Sequence, residues 1–200
     1  MTFSDPQKNI QQFGLIEGMK VADLGAGSGA YTVAAARQVG NSGRVYAVEI
    51  QKELLSRIKS SADGAANQVS VSSRKESASS DSMRKVFYGA TNVEVIWGDI
   101  ESLGGTKIKD ALIDAVIVSN VLFQIEDKKG LVEEAKRILK PKGRVLVVDW
   151  KDSFGGMGPH ADHVVSEQSA KKLFEESGFS LERSIPAGDH HYGFIAVKEH

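Results

Sequence analysis

The sequence contains no cysteine and no long apolar run, and its charges almost cancel. Without cysteine the chain can form no disulfide, no thiolate zinc site and no covalent intermediate on a thiol. No stretch approaches the roughly 20 apolar residues of a membrane-spanning helix, and the first residues have no signal-peptide core. The formal net charge of −1 provides no overall attraction to nucleic acid or to an anionic membrane. These absences favour a cytoplasmic protein without nucleic-acid or membrane partners.

What remains is the composition of one folded domain over residues 1–200, with 41% hydrophobic and 26% charged residues. Apolar, β-branched runs alternate with segments of helical periodicity along most of the chain, which predicts βαβ units and a mostly parallel sheet. In the helix predicted over 127–140, aliphatic residues from Leu131 to Leu139 recur at helical spacing and indicate the buried side. Two strand-like runs after residue 178 predict an antiparallel hairpin.

One segment, 60–91, interrupts the alternation. Its first part, 60–82, contains nine serines and almost no large apolar side chains. A helix-to-strand connection is usually only a few residues long, and a serine-rich sequence has little to bury. We therefore expect a flexible, Ser-rich surface insertion over 60–91 within the domain.

The stretch "VADLGAGSGAYT" (21–32) places three glycines between a short apolar run and a predicted helix. Such a loop brings backbone N–H groups and a helix N-terminus close to a ligand, as nucleotide-binding loops do. Gly25, Gly27 and Ala30 can be aligned with the dinucleotide fingerprint, so an NAD-type oxidoreductase is one interpretation. Asp23 argues against it, because its charge would repel a pyrophosphate and suits a cationic ammonium group.

Motifs along the chain resemble those of the class I S-adenosylmethionine-dependent methyltransferases, and within them the type 11 small-molecule group. They are "VADLGAGSG", "VYAVEI", "WGDI", "DAVIVSNVLFQIED" and "LKPKGRVLVVDW". The resemblance covers nearly the whole chain apart from the Ser-rich segment. It implies a doubly wound, Rossmann-like α/β fold whose seven-stranded sheet is mostly parallel, with an antiparallel last strand and the order 3-2-1-4-5-7-6.

The resemblance also implies where S-adenosyl-L-methionine binds. The glycine loop would wrap the methionine part, Glu49 would hold the ribose hydroxyls, and Asp99 would accept from the adenine amino group. Glu49 fits NAD equally well, whereas Asp23 and the Gly98–Asp99 pair favour S-adenosylmethionine. The predicted cofactor-binding residues are Asp23, Gly25, Ala26, Gly27, Gly29, Tyr31, Glu49, Ile50, Gly98, Asp99, Ile100, Ser119 and Asn120.

The predicted reaction is methyl transfer to an oxygen, nitrogen or carbon nucleophile of a small molecule, with S-adenosyl-L-homocysteine as product. The family has no obligatory catalytic residue, and a base is needed only for a protonated nucleophile. The candidates for a base or substrate contact are His160 and His163. His190 and His191 are expected to be partly architectural, and no metal site is predicted.

Some subclasses are set aside on the sequence. Arsenic methyltransferases and thiolate-dependent cytosine enzymes need cysteines that this chain lacks. The family often has a histidine pair where Phe123 and Gln124 stand here. Besides the NAD-type oxidoreductase, a non-catalytic module that binds S-adenosylmethionine is a second alternative.

Overall fold

Seven strands form one mixed sheet in the computed structural model, which describes residues 3–72, 92–154, 156 and 158–200. The strands are β1 (Lys20–Leu24), β2 (Arg44–Glu49), β3 (Val93–Trp97), β4 (Ile113–Ser119), β5 (Leu139–Trp150), β6 (Phe179–Pro186) and β7 (His191–Lys198). The helices are α1 (Pro6–Phe13), α2 (Ala30–Val39), α3 (Lys52–Ser72), α4 (Lys128–Ile138) and α5 (Glu167–Glu176), with one 3-10 turn at Ala161–His163.

The strands lie in the order β3-β2-β1-β4-β5-β7-β6. The first five pair in parallel, and β7 runs antiparallel to both β5 and β6. The predicted fold class, strand order and antiparallel last strand are therefore confirmed. The order reverses between β1 and β4, and open α/β sheets bind ligands beside such a reversal, at the carboxyl ends of their strands.

Local sequence signals set the helix ends. The Asp5 carboxylate accepts from the N–H groups of Gln7 and Lys8, Pro6 begins α1, and Gly14 ends it in the left-handed conformation. Helix α4 begins similarly at Asp127, whose side chain accepts from a backbone N–H one turn on. These short-range contacts fix where α1 and α4 start against the sheet.

Both faces of the sheet are covered by apolar side chains. On one face α4 and α5 pack over the sheet, and Phe174 lies edge-to-face against Phe179 and Phe194. On the other face α1 and α2 pack over the sheet with Ile10 and Phe13 fully buried. The predicted stripe from Leu131 to Leu139 is buried in the first of these faces. Helix α1 therefore lies on the same side of the sheet as α2.

Helix α3 is longer than the sequence pattern suggested. It runs through residues 60–72, the first part of the segment for which we expect a flexible, Ser-rich insertion. No proline interrupts 52–72, alanine favours helix, and serine disfavours it only slightly, so serine content alone does not end a helix. The rest of the predicted insertion, 73–91, lies outside the described residues. Across the part of the chain that is described, no helix combines the length and apolar character needed to cross a membrane.

Candidate active site

A cavity of about 290 Å³ opens at the carboxyl edge of the sheet. Its wall is built from the loop between β1 and α2, the end of β2, the turn after β3 and the segment after β4. Seven of the predicted cofactor residues line it: Gly25, Gly27, Glu49, Ile50, Gly98, Asp99 and Ile100. Motifs that lie far apart in sequence thus meet at one concave site.

Glu49 is the best-anchored side chain of this cavity. It is only 5% exposed, and its Oε2 accepts a hydrogen bond of 2.9 Å from the N–H of Gly27. Its Oε1 accepts from the N–H groups of Ile50 (3.0 Å) and Gln51 (2.9 Å). A carboxylate has about four acceptor positions, so at least one stays available for a ligand donor. The acid is held in place while remaining able to bind a hydroxyl group.

The glycine loop uses most of its N–H groups within the protein. Those of Gly25 and Ala26 both donate to the carbonyl of Val48, at 3.0 and 3.1 Å, and that of Gly29 donates to the carbonyl of Ala26 at 2.8 Å. The N–H of Gly27 donates to Glu49, so four of the five N–H groups in the loop 25–29 have partners within the protein. A pyrophosphate is normally held by free loop N–H groups, so this loop is poorly prepared for one.

Two glycines are required by close packing around the cavity. Gly25 has a φ of +75°, and a Cβ atom there would lie 2.6 Å from Cγ2 of Val121. A Cβ atom at Gly98 would lie 2.6 Å from the carbonyl oxygen of Gly105. Both positions let the backbone approach atoms that any side chain would displace.

Asp23 lies beneath the loop and is fully buried. Its Oδ2 accepts a 2.6 Å hydrogen bond from the Thr32 hydroxyl, while Oδ1 has no partner among the described residues. Burial raises the pKa of Asp23 to about 6; the hydrogen bonds from Thr32 oppose this rise and the negative charge of Glu49 adds to it. The unused oxygen of Asp23 and the negative charge of Glu49, which acts on Asp23, favour a cationic ligand group.

Asp99 closes the turn after β3. Its Oδ1 accepts from the N–H of Glu101 at 2.9 Å, and its Oδ2 accepts from the Ser102 hydroxyl at 2.6 Å. Ile100, next in the chain, is 8% exposed and lines the cavity. The carboxylate therefore shapes the turn that presents Ile100, and each of its oxygens keeps an acceptor position for a ligand.

The other predicted cofactor residues lie outside the cavity wall: Asp23, Ala26, Gly29, Tyr31, Ser119 and Asn120. The Tyr31 hydroxyl contacts Ser4 Oγ (3.0 Å) and accepts from Asn9 Nδ2 (2.7 Å), which ties α2 to the N-terminal segment. Asn120 donates its N–H to the carbonyl of Val148 at 2.8 Å, and its buried Oδ1 has no partner in the described structure.

Sequence reasoning missed Asp149, at the end of β5. Its Oδ2 accepts from the N–H groups of Val121 (3.1 Å) and Leu122 (2.8 Å), and its Oδ1 from the N–H of Trp150 (2.7 Å). Burial raises its pKa to about 6 against the effect of these three hydrogen bonds. An acid at the end of the apolar run "VLVV" was the available signal. Asp149 positions the segment after β4, from which the cavity takes part of its wall.

Sequence reasoning also missed seven wall residues: Val48, Gln51, Leu54, Glu101, Val121, Gln124 and Ile125. Gln124 and Ile125 are shared with a second cavity of about 520 Å³, which His163 also lines. His160 is exposed and pairs with Asp162 at 3.3 Å. Neither histidine lies in the wall of the first cavity, and the described residues contain no group of three or more His, Asp or Glu that could hold a metal.

Comparison with known proteins agrees with this geometry. Residues 15–178 match a family model described as a methyltransferase domain. An arsenite methyltransferase from Aquipseudomonas alcaligenes is 32% identical over 136 residues, which are 68% of this chain and 34% of that protein. The ubiquinone/menaquinone biosynthesis C-methyltransferase UbiE from Cronobacter sakazakii is 27% identical over 137 residues, covering 68% of this chain and 45% of that protein. The chain thus spans less than half the length of both relatives.

A solved structure is similar over almost the whole fold. A SAM-dependent methyltransferase from Aquifex aeolicus superposes with a TM-score of 0.77 at 26% identity. The match covers 98% of this chain and 90% of that one.

Proposed function

The chain belongs to the methyltransferase-domain family with S-adenosylmethionine as its cofactor, and we propose that it methylates a small molecule. S-adenosylhomocysteine is the second product of this reaction. The proposal rests on one observation: the site combines two carboxyl groups, Asp23 and Glu49, with a glycine loop whose N–H groups mostly donate to acceptors within the protein. This donor-poor, acceptor-rich site suits a cation with hydroxyl groups.

The described residues fit the cofactor group by group. Glu49 keeps an acceptor position for the ribose diol, and the unpartnered Oδ1 of Asp23 supplies buried negative charge below the loop. Gly25 and Gly27 bring the backbone of the loop into the cavity wall, and at Gly25 the packing against Val121 excludes any side chain. Ile100 offers an apolar surface for the adenine ring. We assign the methionine part to the loop and the adenine to the turn after β3.

When bound, S-adenosylmethionine supplies a methyl group activated by the sulfonium charge. The residues of the site would hold it in place. Positioning of this kind supplies on the order of 7–11 kcal/mol toward the barrier of a displacement reaction. Asp149 contributes by fixing the segment after β4 through the N–H groups of Val121 and Leu122.

The acceptor atom is oxygen, nitrogen or carbon in this proposal. Trivalent arsenic is a soft element that binds thiolates, and these 200 residues contain no cysteine. Likeness to an arsenite methyltransferase therefore supports the cofactor and the reaction type and gives no support to that acceptor. We expect no S-adenosylhomocysteine above background when arsenite is the only acceptor.

The two alternatives make different predictions. An NAD-type oxidoreductase needs loop N–H groups for the pyrophosphate, and those of Gly25, Ala26, Gly27 and Gly29 already have partners. A non-catalytic binding module would bind S-adenosylmethionine without consuming it. The first differs from our proposal in its ligand and the second in turnover.

One experiment separates the three. The protein is incubated with S-adenosylmethionine and panels of phenols, amines and carbon acids, and S-adenosylhomocysteine is measured by mass spectrometry; thermal shifts with each cofactor are recorded in parallel. We expect S-adenosylmethionine and S-adenosylhomocysteine to raise the melting temperature, NAD⁺ to leave it unchanged, and at least one panel to be methylated. Stabilisation by NAD⁺ alone would support the oxidoreductase, and stabilisation by S-adenosylmethionine without turnover would support the binding module.

A further inference from the structure

Two groups of rings lie at the carboxyl end of β5 and the start of β7: Phe3, Phe154 and His190 contact one another, and Trp150 contacts His191. We call the two groups together the histidine corner. His190 stacks on Phe154 with ring centroids 3.9 Å apart, and His191 lies against Trp150 at 4.2 Å. Phe3 reaches the same place, 6.0 Å from the His190 ring. The rings come from three separate parts of the chain and enclose a partly buried imidazole.

His190 is oriented by a carboxylate. Its Nδ1 lies 2.9 Å from Oδ1 of Asp152, and its side chain is only 13% exposed. A carboxylate can only accept, so in the neutral ring Nδ1 carries the hydrogen and Nε2 carries the lone pair. The backbone is held as well, because the His190 carbonyl accepts from the N–H of Lys151 at 3.0 Å. Ring and backbone are both fixed before any ligand arrives.

The remaining nitrogen has no role in the fold. Nε2 of His190 is buried and has no hydrogen-bond partner among the described residues. Buried polar atoms in folded proteins are almost always paired, and one that is not is expected to meet a ligand or a water. An oriented imidazole with an unused Nε2 is the arrangement of a general base.

The N-terminal segment links the histidine corner to α2, the helix that follows the glycine loop. Phe3 contacts His190, and the next residue, Ser4, bonds to the Tyr31 hydroxyl at 3.0 Å. Tyr31 stands in the first turn of α2, directly after the glycine loop. In the sheet, β5 and β7 lie on the opposite side of β1 from β3, and Trp150 pairs with His191 at the carboxyl edge. The corner is therefore at this edge on the side away from the turn after β3, where the proposed site holds the methionine part with its transferable methyl group.

From these contacts we propose that His190 is the acceptor-side base of the reaction, that Asp152 is its positioning residue, and that the corner receives the acceptor. This rests on the proposed function. The acceptor is a molecule whose nucleophilic atom carries a removable proton, such as a hydroxyl group. Nε2 takes that proton, the freed electron pair forms the new bond to the methyl carbon, and the carbon–sulfur bond breaks with its pair going to sulfur. The sulfonium becomes a neutral thioether and His190 becomes an imidazolium that later returns its proton to solvent.

The first test measures the state of the ring directly. Ring ¹⁵N signals of the five histidines are recorded by NMR at neutral pH, and the His190→Asn variant identifies those of His190. We expect a protonated Nδ1 and an unprotonated Nε2 in the wild type, and a mixed tautomer population in Asp152→Asn. A hydrogen on Nε2 in the wild type overturns the proposal, whatever the cofactor turns out to be.

The second test asks whether the ring moves a proton. In His190→Asn the amide can still donate to Asp152 but the variant has no base at Nε2. For acceptors that the wild type methylates, we expect this variant to lower kcat about 100-fold or more when the hydroxyl is protonated. The loss should shrink toward none along a series of acceptors already ionised at the assay pH. An equal loss along the whole series would indicate a structural role and would overturn the proposal.

Controls separate this proposal from the proposed function. His200→Asn, at the exposed C-terminal residue, should keep wild-type kcat. Calorimetric titration with S-adenosylhomocysteine should give His190→Asn an affinity within twofold of wild type, because Nε2 serves the acceptor. Loss of that affinity in the variant contradicts the role of His190, whereas failure of the wild type to bind S-adenosylhomocysteine contradicts the proposed function.

Discussion

The carboxylate of Glu49, at the end of β2, accepts a 2.9 Å hydrogen bond from the N–H of Gly27 in the loop after β1. The contact joins the two neighbouring strand ends that carry the expected ribose acid and the expected methionine loop. The same carboxylate also accepts from Ile50 and Gln51, so the shape of the loop depends on the acid that we propose as the ribose ligand. We therefore expect cofactor binding and loop geometry to be coupled through Glu49.

The substitution Glu49→Gln should weaken cofactor binding. It replaces one acceptor oxygen by an NH₂ group and removes the charge that strengthens hydrogen bonds to the ribose hydroxyls. Hydrogen bonds to charged groups contribute about 1.5–3 kcal/mol, so we expect the Kd for S-adenosylhomocysteine to rise roughly 10- to 100-fold. Isothermal titration calorimetry measures the change.

Glu94→Gln is the matched control. Glu94 lies on β3, its side chain is half exposed, and its partner Arg44 is 3.5 Å away. Exposed ion pairs contribute little, so this variant should keep the wild-type Kd. Equal weakening in both variants would indicate a general effect of charge and would contradict the role given to Glu49.

The substitution Asp23→Asn should change how stability depends on pH. Burial raises the pKa of Asp23 from 3.8 to about 6, so the folded protein holds a proton that the unfolded chain has released in this window. Stability is therefore lost as pH rises from about 4 to beyond 6, and the variant escapes this loss. The free energy of unfolding of Asp23→Asn minus that of wild type should therefore increase by about 1 kcal/mol from pH 5 to pH 8. Urea unfolding at both pH values tests this, and a difference that stays constant would show that Asp23 does not titrate as described.

Cofactor affinity should fall as pH is lowered through about 6. Below this value Asp23 is increasingly neutral and no longer attracts the cationic amino group, which stays protonated throughout. If binding requires ionised Asp23, the Kd for S-adenosylmethionine should rise about tenfold from pH 7 to pH 5, because with a pKa of about 6 the ionised fraction falls about tenfold over this range. Calorimetry over this range should show the rise in wild type and a flatter dependence in Asp23→Asn. A pH-independent Kd in wild type would place the amino group away from Asp23.

The substitution Gly25→Ala should damage both folding and binding. At its φ of +75° an alanine costs about 1–2 kcal/mol, and its Cβ would lie 2.6 Å from Cγ2 of the buried Val121. Gly14→Ala separates the two effects, because Gly14 has a φ of +71° with no atom within 4 Å of an added Cβ. We expect both variants to melt earlier and Gly25→Ala alone to lose cofactor affinity. Retained affinity in Gly25→Ala would mean that the loop is not in contact with the cofactor.

Elements with short-range causes could be predicted from the sequence. Asp5, Pro6 and Gly14 define α1 through contacts within a few residues, and the apolar spacing from Leu131 to Leu139 defines the buried side of α4. The strand order followed from family resemblance, since periodicity carries no information on which strands are neighbours. The end of helix α3 could not be read from the sequence, because serine disfavours a helix only slightly and alanine favours one, so serine content does not mark where the helix stops.

Residues of the candidate site could be proposed from the sequence where they lie at a strand end or in the loop directly after it. Gly25, Gly27 and Glu49 meet this condition and line the cavity. Asp149 and His190 could not be assigned, because their significance comes from partners 27 and 38 residues away in sequence. An oriented imidazole is visible only when the carboxylate beside it is known.

The most direct test of the account is a crystal structure of the protein with S-adenosylhomocysteine. We predict electron density in the cavity, with both ribose hydroxyls within hydrogen-bond distance of Glu49, the adenine ring against Ile100, and the methionine part along the loop from Gly25 to Gly29. Density for the ligand outside this cavity, or a ribose that does not touch Glu49, would contradict the assignment of the site.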